Sequence, residues 1–297
     1  MKRITSYHLF GAFAIVLCSV LGILLSKFDA VLVFAATLSI GLLFFMFLNP
    51  EFTTLAVLFV LYTNLTVIAT RYHGIPTFVA GSFFLLLGMP LLYFYFIRRL
   101  PIIVNSVLLL MVGYLVAMVI SAAVSRDFVT SVDRMATFFL AGIVLYFLII
   151  NTIRTKELLR KVTWTLILSG FFMGTISLYQ ELSGSYNNAL GGLAQVKDAQ
   201  ISTGEVDISG EKIKRRRLAG PIGSKNRYAQ IMVVLLPLAF FRIRGESSRF
   251  LRVLAVVSMI PILAGIMLTF SRGAGIAILF VLVIMVFLKF IKIRHFF

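Results

Sequence analysis

The apolar residues of this chain fall in blocks of about 18–22, the length a helix needs to cross a ~30 Å hydrocarbon core. Hydrocarbon offers no water to backbone N–H and C=O groups, so each block must satisfy its own backbone as a helix. The chain therefore reads as an all-α, polytopic integral membrane protein, one membrane domain over 1–297. Composition agrees: 60% of the 297 residues are hydrophobic and 13% charged, whereas a soluble domain has ~45–50% and ~25%. A water-soluble globular enzyme, a disordered chain and a coiled coil are excluded.

Charges and turn residues separate the blocks into about ten expected spans: 8–25, 30–48, 52–70, 78–97, 102–124, 130–150, 162–181, 228–241, 252–270 and 274–291. The block at 228–241 is short and contains Pro237, which predicts a kinked, tilted or partly re-entrant segment. Met1-Lys2-Arg3 ahead of a long apolar run, with no small-x-small cleavage site after it, reads as an uncleaved anchor. With the N-terminus inside, fifteen Lys and Arg fall in cytoplasmic segments, five in short outside loops and eight in one long outside loop. This asymmetry predicts N-in and C-in.

The net charge of +17 would suggest nucleic acid in a soluble protein, but basic ends of membrane helices explain it here and no nucleic-acid partner is expected. Cys18 is the sole cysteine and there are three histidines, so no intrachain disulfide forms and metal-ligand spacing is absent. No metal or cofactor is expected. The chain has no obvious internal repeat, which weakens a two-fold transporter architecture.

Two polar features stand out. The long loop, 182–227, is rich in Gly, Ser and Asn early and basic late; seven cations lie between Lys212 and Arg227. The loop is shorter than ~60 residues and the cations lie near a span, so they break the positive-inside rule where it should hold. An anionic ligand compensates most simply, because the arginine fork donates two parallel bonds to phosphate. A solvated loop resting on anionic membrane lipids is the bland alternative. Gly220, Pro221 and Gly223 form a tight turn that lets backbone N–H groups approach an anion. Gly220 to Lys225 lacks the spacing of a nucleotide phosphate loop and is not read as one. The second feature is Thr269-Phe270-Ser271-Arg272-Gly273-Ala274-Gly275, with Arg272 the only charge between Arg252 and Lys289. Ala274 to Leu288 is fifteen residues, ~22 Å of helix, so either flanking lysines lengthen this span or Arg272 lies below the outer surface, where a charge is functional by default. Glu181 and His73 are weaker candidates, read as a helix-end carboxylate and a turn histidine. Gly170 and Gly174 fit helix packing, and Trp164 fits an interface anchor.

The run Arg217-Leu-Ala-Gly-Pro-Ile-Gly-Ser-Lys-Asn-Arg-Tyr-Ala-Gln230, followed by Leu236-Pro237-Leu238, resembles the O-antigen ligase/polymerase family of bacterial membrane glycosyltransferases. Leu268-Thr-Phe-Ser-Arg-Gly-Ala274 is similar too, as is the stretch from Ile153-Arg154-Thr155 through Leu178-Tyr-Gln180 to Gly184. The resemblance covers about 150–290; residues 1–130 agree only in hydropathy. It implies a multi-pass protein of the bacterial inner membrane that works in surface polysaccharide or lipopolysaccharide biosynthesis. Such proteins transfer a glycan from undecaprenyl diphosphate to a glycan, lipid A core or protein acceptor at the membrane's outer face, without metal or nucleotide sugar. By the resemblance, Arg217 and Arg272 hold the diphosphate, and Gly220 and Asn226, with Gly223, shape the loop. Lys225 and Arg227 are helpers by position alone. The family continues past the Ser-Arg-Gly span into further helices and an outside loop that carries the acceptor-activating histidine or carboxylate. The resemblance thus implies that a C-terminal third is lacking, and no catalytic base is assigned. A non-catalytic truncated member that binds the lipid diphosphate and a lipid-linked oligosaccharide flippase are the alternative readings.

Overall fold

The computed structural model describes residues 30–206 and 212–288. They divide after Pro50 into two units, the first of which contributes helix α1 (Ala30–Leu48). From Glu51 onward follow α2 (Pro50–Tyr62), α3 (Leu65–His73), α4 (Thr77–Ile97), α5 (Ser106–Ala123), α6 (Phe128–Thr152) and α7 (Lys156–Ser183). An antiparallel hairpin comes next, β1 (Gln195–Val206) and β2 (Lys212–Gly220), then α8 (Lys225–Gly245), α9 (Arg249–Met267) and α10 (Arg272–Phe287).

Among the described residues, six helices, α4 to α9, are long and apolar enough to cross a bilayer, which marks a multi-pass membrane protein. The span expected at 8–25 lies outside the described residues. The one expected at 52–70 is two helices. Thr63 donates its hydroxyl to Phe59 O at 2.7 Å, and Asn64 takes a left-handed backbone with φ 60°, a conformation Asn tolerates better than most residues. The segment at 228–241 is part of a continuous 21-residue helix, with Pro237 inside it. Its polar ends, Lys225 to Arg227 and Arg242 to Arg244, are helical as well, so the apolar run underestimates the element. Helix α10 begins at Arg272, capped by Ser271, whose side chain accepts from Ala274 N at 3.4 Å. Its 16 residues leave it shorter than the six spans.

The core sits between α7, α8 and α9, with Ile167, Met173, Met232, Leu235 and Ile262 fully buried. Lipid tails are as apolar as these side chains, so close backbone approach and van der Waals contact hold such helices together. Glycine makes the approach feasible. A Cβ on Gly174 would lie 2.1 Å from the Pro261 carbonyl oxygen, and one on Gly170 would lie 2.2 Å from Leu235 Cδ1. The packing role read for these two glycines is what the contacts bear out. Gly265 admits Met232 and the Tyr228 hydroxyl from the facing helix. That hydroxyl bonds Ser177 Oγ at 2.9 Å and donates to Met173 O at 3.1 Å, so the buried phenol is satisfied.

At one end of this trio a carboxylate gathers the helices. Glu246, in the turn between α8 and α9, has no exposed side-chain surface. Its Oε1 accepts from Arg160 Nε at 3.0 Å, Trp164 Nε1 at 2.9 Å and Arg242 Nη1 at 3.2 Å, and its Oε2 accepts from Arg160 Nη2. Arg160 first, then Trp164 and Arg242, outweigh burial and hold the carboxyl down at about 2, below its ordinary 4.5. A carboxylate whose folded pKa is depressed stabilises the fold above its ordinary value and loses that contribution as pH falls through the folded one. Glu246→Gln is therefore expected to lower the thermal midpoint of the detergent-solubilised protein by several degrees at pH 7. The difference from wild type should shrink as the pH drops from 4.5 towards 2. Equal midpoints at pH 7 would show that the cluster contributes nothing.

Candidate functional site

Strand β2 carries the basic motif, and its alternation sends adjacent arginines to opposite sides. Arg216 points to the segment after α7, where its guanidinium lies 5.3 Å from the Tyr186 ring centroid and donates to Asn187 Oδ1 at 3.1 Å. Arg217 points the other way, to the joint between α9 and α10. Its Nε donates to Thr269 O at 3.1 Å and its Nη2 donates to Phe270 O. The next residue, Leu218, is fully buried and donates its backbone N–H to Leu268 O at 3.1 Å.

The chain then turns sharply into α8. Gly220 and Gly223 have φ +51° and +70°, a region that favours glycine. A Cβ on Gly220 would meet the Tyr228 ring at 2.8 Å, and one on Gly223 would meet Gln195 Oε1 at 2.4 Å. The turn is clamped from outside: Pro221 O accepts from Asn64 Nδ2 at 2.9 Å and from Gln195 Nε2 at 3.3 Å. The break between α2 and α3 thus provides a ligand for the loop. Beyond the turn, Lys225 and Asn226 enter the first turn of α8, and Ser271 Oγ donates to Asn226 Oδ1 at 3.4 Å.

Together these elements frame a groove of about 1710 Å³ between α8, α10 and the end of α9. Its polar end holds Arg217, Lys225, Asn226, Gln230, Ser271 and Arg272. The remaining wall is apolar, built from Val233, Val234, Ile266, Ala277, Ile278 and Val281 among others. Among the described residues, no carboxylate lines it. Burial, and then the nearby charge of Arg272, push Arg217 below the usual arginine range. The N-termini of α8 and α10 open at the same end, adding their positive dipole ends to it.

Four of the seven residues singled out from sequence meet here: Arg217, Arg272, Lys225 and Asn226. Gly220 and Gly223 lie behind the groove and set the turn. Arg227 is exposed on α8 and does not line the groove. Glu181 and His73 do not line it either; Glu181 accepts from Tyr186 Oη at 2.7 Å, and His73 packs against Gly191. Sequence reasoning missed Asn64, whose signal is a polar Thr63-Asn64 pair inside an apolar run. It also missed the apolar wall, which nothing in the sequence distinguishes from ordinary lipid-facing residues.

Gly220→Ala tests the turn against Gly184→Ala, a second left-handed glycine at φ +64° with open space around its Cβ position. Both substitutions carry the ~1–2 kcal/mol backbone cost of a left-handed alanine. Only the first forces the Tyr228 ring aside, so its thermal midpoint should fall further; equal losses would show that the ring contact does not matter. No protein-family model, curated protein or solved structure matches the chain.

Proposed function

We propose that this groove binds the diphosphate end of a lipid-linked glycan and that the protein transfers the glycan to a sugar or protein acceptor. The observation that carries this reading is the division of the groove. Three cations stand at one end, with no carboxylate beside them among the described residues, and an apolar wall runs from them between α8 and α10. A polyprenyl diphosphate has the same division, two phosphates on a long hydrocarbon chain. The motif resemblance to O-antigen ligases and polymerases supports undecaprenyl diphosphate as the carrier. It also supports the outer face of a bacterial inner membrane as the place of reaction, in surface polysaccharide biosynthesis.

The chemistry follows from charge. Transfer breaks the bond between the sugar's anomeric carbon and a phosphate oxygen, and negative charge grows on the departing diphosphate. Fixed cations in a site poor in water stabilise that charge more in the transition state than in the ground state. The arginine fork of Arg272, the ammonium of Lys225 and the positive charge of Arg217 suit the two phosphates. The described lining residues include no carboxylate or imidazole, so their part is donor binding and leaving-group stabilisation; deprotonation of the acceptor is not a task of these residues. A flippase needs polar groups along the path through the bilayer, and beyond Gln230 this wall is apolar.

The test uses the full chain in proteoliposomes with an undecaprenyl-diphosphate-linked glycan and its acceptor. Arg217→Ala and Arg272→Ala should each lower transfer by ~10²-fold or more, with membrane insertion unchanged. Normal transfer by both variants would overturn the proposal.

A further inference from the structure

The two arginines of the groove are engaged differently. Arg272 is exposed at the mouth and, like Lys225, has no hydrogen-bond or ion-pair partner among the described residues. Arg217 has given Nε and Nη2 to the carbonyls of Thr269 and Phe270. Those carbonyls belong to the four-residue joint that ends α9 and begins α10. Phe270 is left-handed there, with φ 48°, a conformation disfavoured for a non-glycine residue. Such a conformation persists only where its surroundings over-determine it. Here they do: Leu218 N holds Leu268 O, Arg217 holds Thr269 O and Phe270 O, and Thr269 Oγ1 donates to Ile266 O at 2.7 Å while accepting from Ser271 N at 3.2 Å. Two residues after Phe270 stands Arg272. The direction in which Arg272 leaves the joint depends on the backbone that Arg217 fixes.

Resting on the donor-binding reading above, we propose that Arg217 is a positioning residue and that Arg272 and Lys225 are the direct ligands of the diphosphate. Arg217 clamps the left-handed Phe270 joint and so sets Arg272 into the groove mouth. Its charge reaches the anion only at longer range. This divides labour between two residues that the sequence motif presents as equivalent. It also explains why an arginine is needed at 217: one planar fork bonds two successive carbonyls, which a lysine ammonium on a flexible stem does not reproduce.

The clamp has a specific rescue. Glycine adopts positive φ without steric cost, so Phe270→Gly removes part of the need for Arg217. The experiment measures binding of farnesyl diphosphate, with farnesol as control, to the full chain in detergent. In parallel it measures amide hydrogen exchange across Thr269–Gly275. Arg272→Ala should weaken diphosphate binding by about tenfold to hundredfold and leave exchange at the joint unchanged. Arg217→Ala and Arg217→Lys should both weaken binding and speed exchange there. Adding Phe270→Gly to either should recover a substantial part of the lost binding, while Phe270→Gly alone should have little effect.

Loss of binding in Arg217→Ala with unchanged exchange, no recovery by Phe270→Gly and near-normal binding in Arg217→Lys would overturn the proposal and make Arg217 a direct ligand. If Arg217→Ala does not fold, Arg217→Lys with and without Phe270→Gly decides the matter. If wild type binds no farnesyl diphosphate, the donor reading fails by itself. The exchange comparison then still decides whether Arg217 holds the joint, and unchanged exchange would sink the clamp.

Discussion

A helix that ends leaves its last carbonyls without intrahelical donors. At the end of α9 the N–H groups of Leu268, Thr269 and Phe270 serve Ala264, Ile266 and Met267, which leaves the carbonyls of the joint itself to find donors elsewhere. Leu268 O takes a backbone N–H from β2, and Thr269 O and Phe270 O take the Arg217 guanidinium. Much of the site depends on that arrangement. To bring Leu218 and Arg217 to these carbonyls, the segment after α7 must return along the helix ends as a hairpin. To leave again into α8, the chain must turn within Gly220 to Ser224, against the Tyr228 ring and under the side chains of Asn64 and Gln195. A cation at a helix C-terminus also interacts favourably with the helix dipole. One side chain therefore closes hydrogen bonds, complements a dipole and brings positive charge to the rim of the groove.

The two ends of the α7–α8–α9 core treat charge in opposite ways. At the Glu246 end, one buried carboxylate accepts from Arg160, Trp164 and Arg242, so cations and anion are matched within the protein. At the groove end, Arg217, Lys225 and Arg272 face one space that, among the described residues, no carboxylate lines. Like charges gathered in a partly desolvated place raise the free energy of the fold unless something of opposite sign is bound. The depression of Arg217 by burial and by Arg272 is the local sign of that cost.

How much of this is legible in sequence depends on which physical rule governs each element. Spans set by hydropathy alone are readable, and α4, α5, α6 and α9 fall within about four residues of their apolar blocks. Helices α7 and α8 are longer than their blocks because helix formation continues through charged residues at their ends, which hydropathy excludes. The 52–70 block is broken at the polar Thr63-Asn64 pair, and Asn64 serves Pro221, a partner 157 positions away. The hairpin is invisible for a related reason: β2 pairs with β1 and bonds the joint after α9, both outside its own sequence neighbourhood, and its residues are basic rather than apolar. Glu246 had a signal that hydropathy and charge counts both pass over. It is the only carboxylate after Glu211 in a strongly basic chain, so its neighbours were bound to compete for it. The cations at 217 and 225 were legible because seven cations crowd between Lys212 and Arg227, and Arg272 because it is the only charge between Arg252 and Lys289. Arg227 belongs to the same cluster, yet it does not line the groove.

The groove's apolar wall bears on how a donor reaches the cations. Val234, Met267 and Phe280, which line it, are 58%, 66% and 64% exposed. In a protein whose long helices are suited to a bilayer, that exposed surface faces hydrocarbon rather than water. A groove walled by such residues is open along its side. On the proposed function, a lipid-linked substrate would need no passage through the protein, because its chain would stay in the hydrocarbon while its phosphates slide towards the polar end. Small residues leave room for that approach: at Gly273 and Gly275 an added Cβ would meet nothing within 4 Å, so the first turn of α10 presents backbone and open space beside Arg272. The proposed headgroup would stop where apolar wall gives way to Gln230, Asn226 and the cations, where α8 and α10 begin. Depth in the bilayer and charge in the groove thereby select the same part of the ligand, the junction between hydrocarbon and phosphate.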